Sequence, residues 1–285
     1  MAVAEDRNGK VHAHLLALIC RHGRLFPPYL YTHGRVYGEG EYAPGEDREL
    51  LFSMMLKAVT QKFNHKLCLY IEFSDISNKM FAYRHFRQNG YFPIPWQEIH
   101  NSLHSLPPEK RISEKALSKI ETAEKHGVYT MGNQKTKKEL GAFYKLLRSY
   151  FRFKTRRSIP HRKMFSMLNS EGDSKTFVTI YKNKIIGGCV CLYSGKNAYM
   201  WYLASKRKTY IHLSPASITV WAAIKYAYTH GYEHIYFLDA GLPFRNNPFR
   251  EFILSFGGKP VSKYRWFRLP VPYINRFLSW CYNDK

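Results

Sequence analysis

The stretch Ser205-Lys-Arg-Lys-Thr-Tyr-Ile-His-Leu-Ser-Pro-Ala-Ser-Ile-Thr-Val-Trp221 sets three cations just ahead of a helix start. Ser214 is of the residue type that caps a helix, and Pro215 suits the first turn. The free N–H groups and dipole of a helix N-terminus attract anions. Lys206, Arg207 and Lys208 add to that attraction, so the loop reads as a phosphate-binding element.

Outward from this loop the chain alternates in type. Upstream, strands are predicted over 176–182, 185–193 and 198–204, with hairpin turns at Lys182-Asn-Lys184 and Ser194-Gly-Lys196. Before them stand helices over 107–126, 136–151 and 161–169 and a short strand over 128–131; Gly127 closes the first helix. Downstream, the helix begun at Ser214 runs to about His230 and stops at Gly231. A strand over 233–238 leads to Asp239-Ala-Gly241, followed by a helix over 247–255, a strand over 259–267 and a helix over 272–282. After the first helix the order is βααβββαβαβ, an α/β chain.

Sliding the chain along itself by 167 residues sets Asp47 on Ser214, the helix 48–63 on 215–230, Leu67–Glu72 on His234–Asp239, and Gly90 on Gly257. Helix, strand, helix and glycine turn recur without a gap. The copies differ ahead of the helix: GEGEYAPGE precedes Asp47, whereas SKRKTYIHL precedes Ser214. An anion is repelled from the first and drawn to the second. The reading is two tandem lobes: a partial one over 1–105 that is short of the earlier strands, a linking helix over 106–127, and a second lobe over 128–285.

The formal net charge is +23, and it is uneven: residues 1–105 carry 12 Lys and Arg against 10 Asp and Glu, residues 106–285 carry 32 against 11. Such a balance points to a polyanionic partner. At 45% hydrophobic the chain can build a core, which excludes disorder by composition. The five cysteines, Cys20, Cys68, Cys189, Cys191 and Cys281, make no disulfide framework and are expected reduced and mostly buried. Cys189 and Cys191 should share one strand face. No apolar leader and no stretch long enough to span a bilayer is visible, so the expectation is a cytoplasmic protein, or one peripheral to the inner face of the membrane.

Between residues 135 and 163 eleven Lys and Arg stand against Glu139 alone, interleaved with rings. Tyr150, Arg152, Arg156 and Arg157 are the candidate substrate-binding residues there, cations for phosphates and a ring for an exposed base. Lys206, Arg207, Lys208 and Ser214 are the candidate cofactor-binding set, cations and a helix start for a phosphate. Asp239, at a strand's C-terminal end, could accept or orient a proton, or cap its own turn; Tyr202 could donate a proton or belong to the core. The thirteen histidines show no metal-ligand spacing, and no metal or tightly bound cofactor is expected.

A strand feeding a basic loop at a helix N-terminus is similar to the GNAT acyltransferase fold. The closer resemblance is to the FemAB type of tandem GNAT-like transferases. It rests on Ile120-Glu-Thr-Ala-Glu-Lys-His-Gly-Val128, Phe143-Tyr-Lys-Leu146, Tyr202-Leu-Ala-Ser205 with Pro215 and Trp221, and Asp239-Ala-Gly241 with Pro248–Gly258. It covers about residues 50–268. It departs at 206–213, which hold no glycine, and at Leu117, Ser118, Glu121 and Thr122, where Arg or Lys is common. The resemblance implies a GNAT-like mixed sheet flanked by helices, in two tandem lobes with the N-terminal one incomplete. It implies transfer of an acyl or aminoacyl group, from acyl-CoA or aminoacyl-tRNA, to an amine such as that of a peptidoglycan precursor at the membrane surface, with the acceptor between the lobes. Two alternatives stay open: a CoA-dependent N-acyltransferase with a small or lipid-like acceptor, and a non-catalytic polyanion-binding module.

Overall fold

The computed structural model describes residues 1–24, 29–132, 137–151, 159–244 and 246–283, with the side chains at 24, 29, 137–139, 169–171, 239 and 283 outside the description. In chain order the elements are β1 (Ala2–Glu5), β2 (Val11–Arg24), β3 (Tyr29–Tyr42), α1 (Arg48–His65), β4 (Ile71–Ser74), α2 (Tyr83–Gln88) and β5 (Phe92–Ser102). There follow α3 (Glu114–Lys125), β6 (Tyr129–Gly132), α4 (Lys137–Tyr150), α5 (Arg162–Glu171), β7 (Ser174–Tyr181), β8 (Lys184–Ser194) and β9 (Asn197–Ser205). The chain closes with α6 (Pro215–Thr229), β10 (His234–Gly241), α7 (Pro248–Leu254), β11 (Lys259–Arg268) and α8 (Pro272–Asn283). The helix expected from 107 begins only at Glu114, where Ser113 caps it through the Ala116 N–H; Pro108–Lys110 form a 3-10 turn ahead of it.

The elements group into two units, Met1–Trp96 with Leu242–Phe244 and Ser262–Lys285, and Gln97–Gly241 with Arg245–Val261. β5 passes from the first into the second, and β11 from the second into the first. In the first unit the strand order is β1-β2-β3-β4-β11. In the second it is β6-β7-β8-β9-β10-β5. Each sheet is mixed: β3 and β4 pair in parallel, as do β9 and β10, and the other pairs named here are antiparallel. Parallel neighbours need a crossover, supplied by α1 in one unit and α6 in the other.

The repeat is therefore real but not gapless. Gly90 and Gly257 both take left-handed backbone, φ 79° and 78°, and the strands after them begin at Phe92 and Lys259. However, α1 has 18 residues and α6 has 15. Parallel pairing starts at Gly34 with Ile71 and at Asn197 with His234, an offset of 163. Glu72 thus corresponds to Ile235, not to Asp239. The first unit also possesses antiparallel strands ahead of its crossover helix, β1 to β3. Among the described residues it has no counterparts of β6, α4 and α5.

The first unit buries an aromatic core of Phe52, Phe73, Phe86, Tyr91 and Trp266. The second has a core on each sheet face. Ile120, Cys189, Cys191, Trp221 and Ile224 lie on the α3 and α6 side; Phe143, Leu147, Phe165, Val178 and Val190 lie on the α4 and α5 side. Burial at this scale stabilises by about 25 cal/mol for each Å² of apolar surface removed from water. The five cysteines are free; Cys68, Cys189 and Cys191 are buried and Cys20 and Cys281 half-buried. No helix among the described residues is long and apolar enough to cross a membrane.

Candidate active site

Two glycines in β8 let the site close. A Cβ on Gly188 would lie 2.6 Å from the Phe143 ring, and one on Gly187 would lie 2.9 Å from Thr219 Oγ1 and 3.1 Å from the Pro215 carbonyl. The bare backbone thus brings α4 onto one face of β8 and the first turn of α6 onto the other. A buried hydroxyl chain fixes that turn: Thr130 Oγ1 to Thr179 Oγ1 at 2.9 Å, on to Thr219 Oγ1, whose hydroxyl donates to the Pro215 carbonyl at 2.6 Å.

β9 carries a bulge. Val190 faces Tyr202 and Cys191 faces Met200, so Trp201 is the extra residue of the bulge. β10 carries another: Phe237 faces Ile99 and Gly241 faces Gln97, so Leu238, Asp239 and Ala240 stand against Glu98 alone. Bulges bend and twist the strand that bears them. β9 and β10 pair only over Asn197–Met200 and His234–Phe237, although β9 continues to Ser205 and β10 to Gly241. The parallel pair parts at its C-terminal end, which is where open α/β sheets bind ligands.

The β9 bulge also exchanges faces. Ala198 and Met200 belong to the core beneath α6, whereas Tyr202 and Ala204 belong to the core beneath α4. Tyr202 is 3% exposed, with its ring 5.8 Å from Phe151 and 5.9 Å from Phe165. It packs in the core and does not line the cleft described next.

Beyond the end of β9 lies a cleft of about 840 Å³. Its walls are Ala142, Lys145, Leu146, Ser149 and Tyr150 of α4, Lys184 and Ile185 at the start of β8, and Ser205 to Thr209. Among the described residues this lining holds five cations and no carboxylate. The loop is pinned: Lys206 N donates to Ile186 O at 2.8 Å, and Thr209 N and Tyr210 N both donate to Lys206 O at 3.1 Å. Lys206, Arg207 and Lys208 stand exposed on the resulting turn.

Of the residues picked from the sequence, Lys206, Arg207, Lys208 and Tyr150 come together here. Ser214 precedes α6 as expected, but its side chain does not cap the helix. Its backbone is left-handed, φ 41° and ψ 51°, not the extended conformation that aims a cap side chain at the first turn, and its carbonyl accepts the Ser217 N–H instead. Asp239 has its backbone in the β10 bulge, and its side chain lies outside the described residues. Arg152, Arg156 and Arg157 lie outside them altogether.

Sequence reasoning missed Lys184 as a site residue, the Trp201 bulge, and Glu98. The Glu98 side chain is 7% exposed and its carboxylate meets His100 Nε2 at 3.2 Å. A glutamate buried in the apolar strand FPIPWQEIHN is the signal that could have revealed it. The fold also assembles His104, Glu233 and His234, with ligand atoms within 4.8 Å of one another. Spacing could not show this group, because the β5–β10 ladder brings it together; Lys196 Nζ meets the Glu233 carboxylate at 2.5 Å.

Residues 112–246 match the family model described as acetyltransferase (GNAT) domain. That range, a little under half of the chain, is similar to a GNAT acyltransferase domain. The matched range runs from α3 through β10, and it holds the cationic cleft, both bulges and Asp239; Glu98 lies ahead of it. No curated protein matches the sequence. Among solved structures, L-PGS from Bacillus licheniformis is similar at 11% identity and TM-score 0.62, over 98% of this chain and 88% of that one. FemX is similar at 13% identity and TM-score 0.58, over 97% and 89%. A tandem GNAT protein from the clavulanic acid biosynthesis pathway is similar at 11% identity and TM-score 0.59, over 94% and 82%. At such identities the likeness is one of fold. It extends beyond residues 112–246 to nearly the whole chain, in keeping with the internal repeat.

Proposed function

We propose that the protein is a FemAB-type transferase that moves an acyl or aminoacyl group from a phosphate-bearing donor to an amine, such as that of a peptidoglycan precursor. The observation that carries this reading is the cleft beyond β9, where Lys145, Lys184, Lys206, Arg207 and Lys208 converge with no acid among the described lining residues. Phosphate oxygens would sit among these cations, and the reactive carbonyl would reach the parted ends of β9 and β10. The amine nitrogen attacks that carbonyl carbon, the oxyanion forms, and the donor's thiolate or ribose oxygen leaves. Asp239, in its bulge, takes or orients the amine's proton, with Glu98 opposite it in the ladder.

Two features favour an aminoacyl-tRNA donor over coenzyme A. The cations are spread over three elements, wider than one pyrophosphate needs, and Lys206–Leu213 holds no glycine to bring backbone onto a pyrophosphate. Tyr150 at the rim offers a ring for a terminal base. A CoA thioester is the second reading, because Ala142, Leu146 and Ile185 give the cleft an apolar wall for a pantetheine arm.

The test is a thermal-shift screen of CoA thioesters and charged tRNAs, followed by transfer assays on the donor that binds. One donor class should raise Tm by mass action, and Lys206→Ala/Arg207→Ala/Lys208→Ala should remove the rise. Binding unaffected by the triple change would overturn the placement of the donor. Binding with no product from any donor would leave a polyanion-binding module on the same fold.

A further inference from the structure

Among the described residues, α8 is fastened to the first unit along the face that carries Asn275, Ser279 and Tyr282. Asn275 Nδ2 donates to Gly90 O at 2.9 Å and Asn275 Oδ1 accepts from Leu269 N at 2.8 Å. One turn on, Ser279 meets Arg87, and beyond it the Tyr282 ring stacks on Phe92 at 6.2 Å. Positions 275, 279 and 282 share a helical face. The opposite face follows the same spacing, with Tyr273 84%, Phe277 59% and Trp280 64% exposed. Ile274 widens this apolar stripe, and Val271 stands exposed just ahead of the helix.

Beside the stripe is a second cleft, of about 320 Å³, formed where α8 meets the end of β11. Arg87, Arg268 and Arg276 line it, with no acidic residue among its lining. An apolar stripe rimmed by aromatic residues and flanked by arginines is the pattern of a helix lying in a lipid interface. Aliphatic Val271 and Ile274 provide nothing for a nucleic-acid base to stack on, and they suit acyl chains. The three arginines suit a lipid phosphate, whose charge they complement.

We propose that α8 docks this protein on an anionic bilayer, with Tyr273, Phe277 and Trp280 inserted among acyl chains and a lipid phosphate in the Arg87–Arg268–Arg276 cleft. The inference rests on the first unit and is independent of the donor cleft.

The experiment uses the full chain with vesicles of phosphatidylcholine alone, or with about a third phosphatidylglycerol. Sedimentation should show at least tenfold tighter binding to the anionic vesicles, weakening with salt. Lipids brominated in the acyl chains should quench tryptophan emission, and Trp280→Phe should remove that quenching. Phe277→Ser/Trp280→Ser should abolish binding. Arg87→Gln/Arg276→Gln should weaken it at least tenfold for anionic vesicles, with an unchanged circular-dichroism melt. Lys206→Ala/Arg207→Ala/Lys208→Ala should keep the Trp280 quenching, which separates this proposal from the donor reading. Equal binding to both vesicles, quenching that survives Trp280→Phe, or no binding to either would overturn it. So would a concentration-dependent dimer in sedimentation equilibrium that Phe277→Ser/Trp280→Ser dissolves, since the stripe would then be a contact between copies.

Discussion

The two units place the same device in opposite electrostatic settings. In each, a strand pairs in parallel for four residues and then bulges as the partner departs. In the second unit the bulge is Trp201 after Met200. In the first it follows Tyr37 and consists of Gly38, Glu39 and Gly40, with φ 72° and 87° at the two glycines. There the Glu39 carboxylate takes up the position: it accepts from Ser77 N at 2.7 Å and Ser77 Oγ at 2.6 Å, and Arg48 meets it at 3.2 Å. Downstream of the bulge the first unit has Asp47, which caps α1 by accepting from Leu50 N at 3.1 Å, and Glu46, held by His12 at 2.6 Å. The second unit has Lys206, Arg207 and Lys208 in that region. The splayed strands are a property of the repeat; which copy can receive an anion is decided by a handful of side chains.

The largest expected effect comes from reversing that sign. Lys206→Glu/Arg207→Glu/Lys208→Glu should weaken donor binding by roughly 10³-fold or more at low salt, since each phosphate contact is counterion-linked. Arg48→Glu in the first unit should leave donor affinity unchanged. If both changes weaken binding alike, the contrast between the units is broken.

Next in size is the chemistry at the β10 bulge. Asp239→Asn should lower kcat by about 10²-fold with donor binding intact, the usual loss for a proton-transfer group. Ile235→Ala, at the position that corresponds to Glu72, serves as the structural control: it should lower stability and leave the per-molecule rate alone. A full rate in Asp239→Asn would move the base to Glu98, to be checked with Glu98→Gln.

Acid should loosen the first unit through His33. This ring is 5% exposed, stacked between His22 at 4.9 Å and Tyr70 at 4.7 Å, and burial, with His22 and Arg35 nearby, pushes its pKa down to about 4. The unfolded chain binds this proton below about pH 6.5, the folded chain only below about pH 4. Stability is therefore fully present above pH 6.5 and falls as pH drops toward 4, by up to about 3 kcal/mol. Hydrogen exchange at pH 7 and pH 5 should show the β2–β3–β4 amides losing protection, and His33→Phe should flatten the response. Equal loss in the β8–β9–β10 amides would contradict the assignment.

The smallest effect sharpens the role of the Glu39 plug. Glu39→Gln keeps the size but weakens the bonds to Ser77 and Arg48, and should cost about 1–2 kcal/mol by chemical denaturation. No loss would mean that Glu39 is an ordinary surface charge.

Much of the second unit was legible in the sequence. Turn residues, amphipathic helices and glycine stops gave its elements within a few residues; Gly127 and Gly231, for instance, end their helices at φ 80° and 75°. The basic loop was legible because charge needs no fold to be seen. Bulges were not, because a ladder is a relation between distant strands. Strict alternation would have kept Tyr202 on the face of Ala198 and Met200, and the extra residue Trp201 sends it to the other. The Glu72–Asp239 match failed for a related reason: three extra residues in α1 and one in the connection after it shift the strand register by four, and nothing in the helix pattern records it. Early strands of the first unit were overlooked because His, Arg and Gly interrupt the apolar pattern of β2 and β3.

The most direct measurement is hydrogen exchange with mass analysis on the full chain, with and without the donor that raises Tm. Protection should appear at 145–150, 184–187 and 201–218, and not at 38–50. Protection at 38–50, or none over 201–218, would contradict the claim that only the second copy of the repeat holds an activated donor by its phosphates.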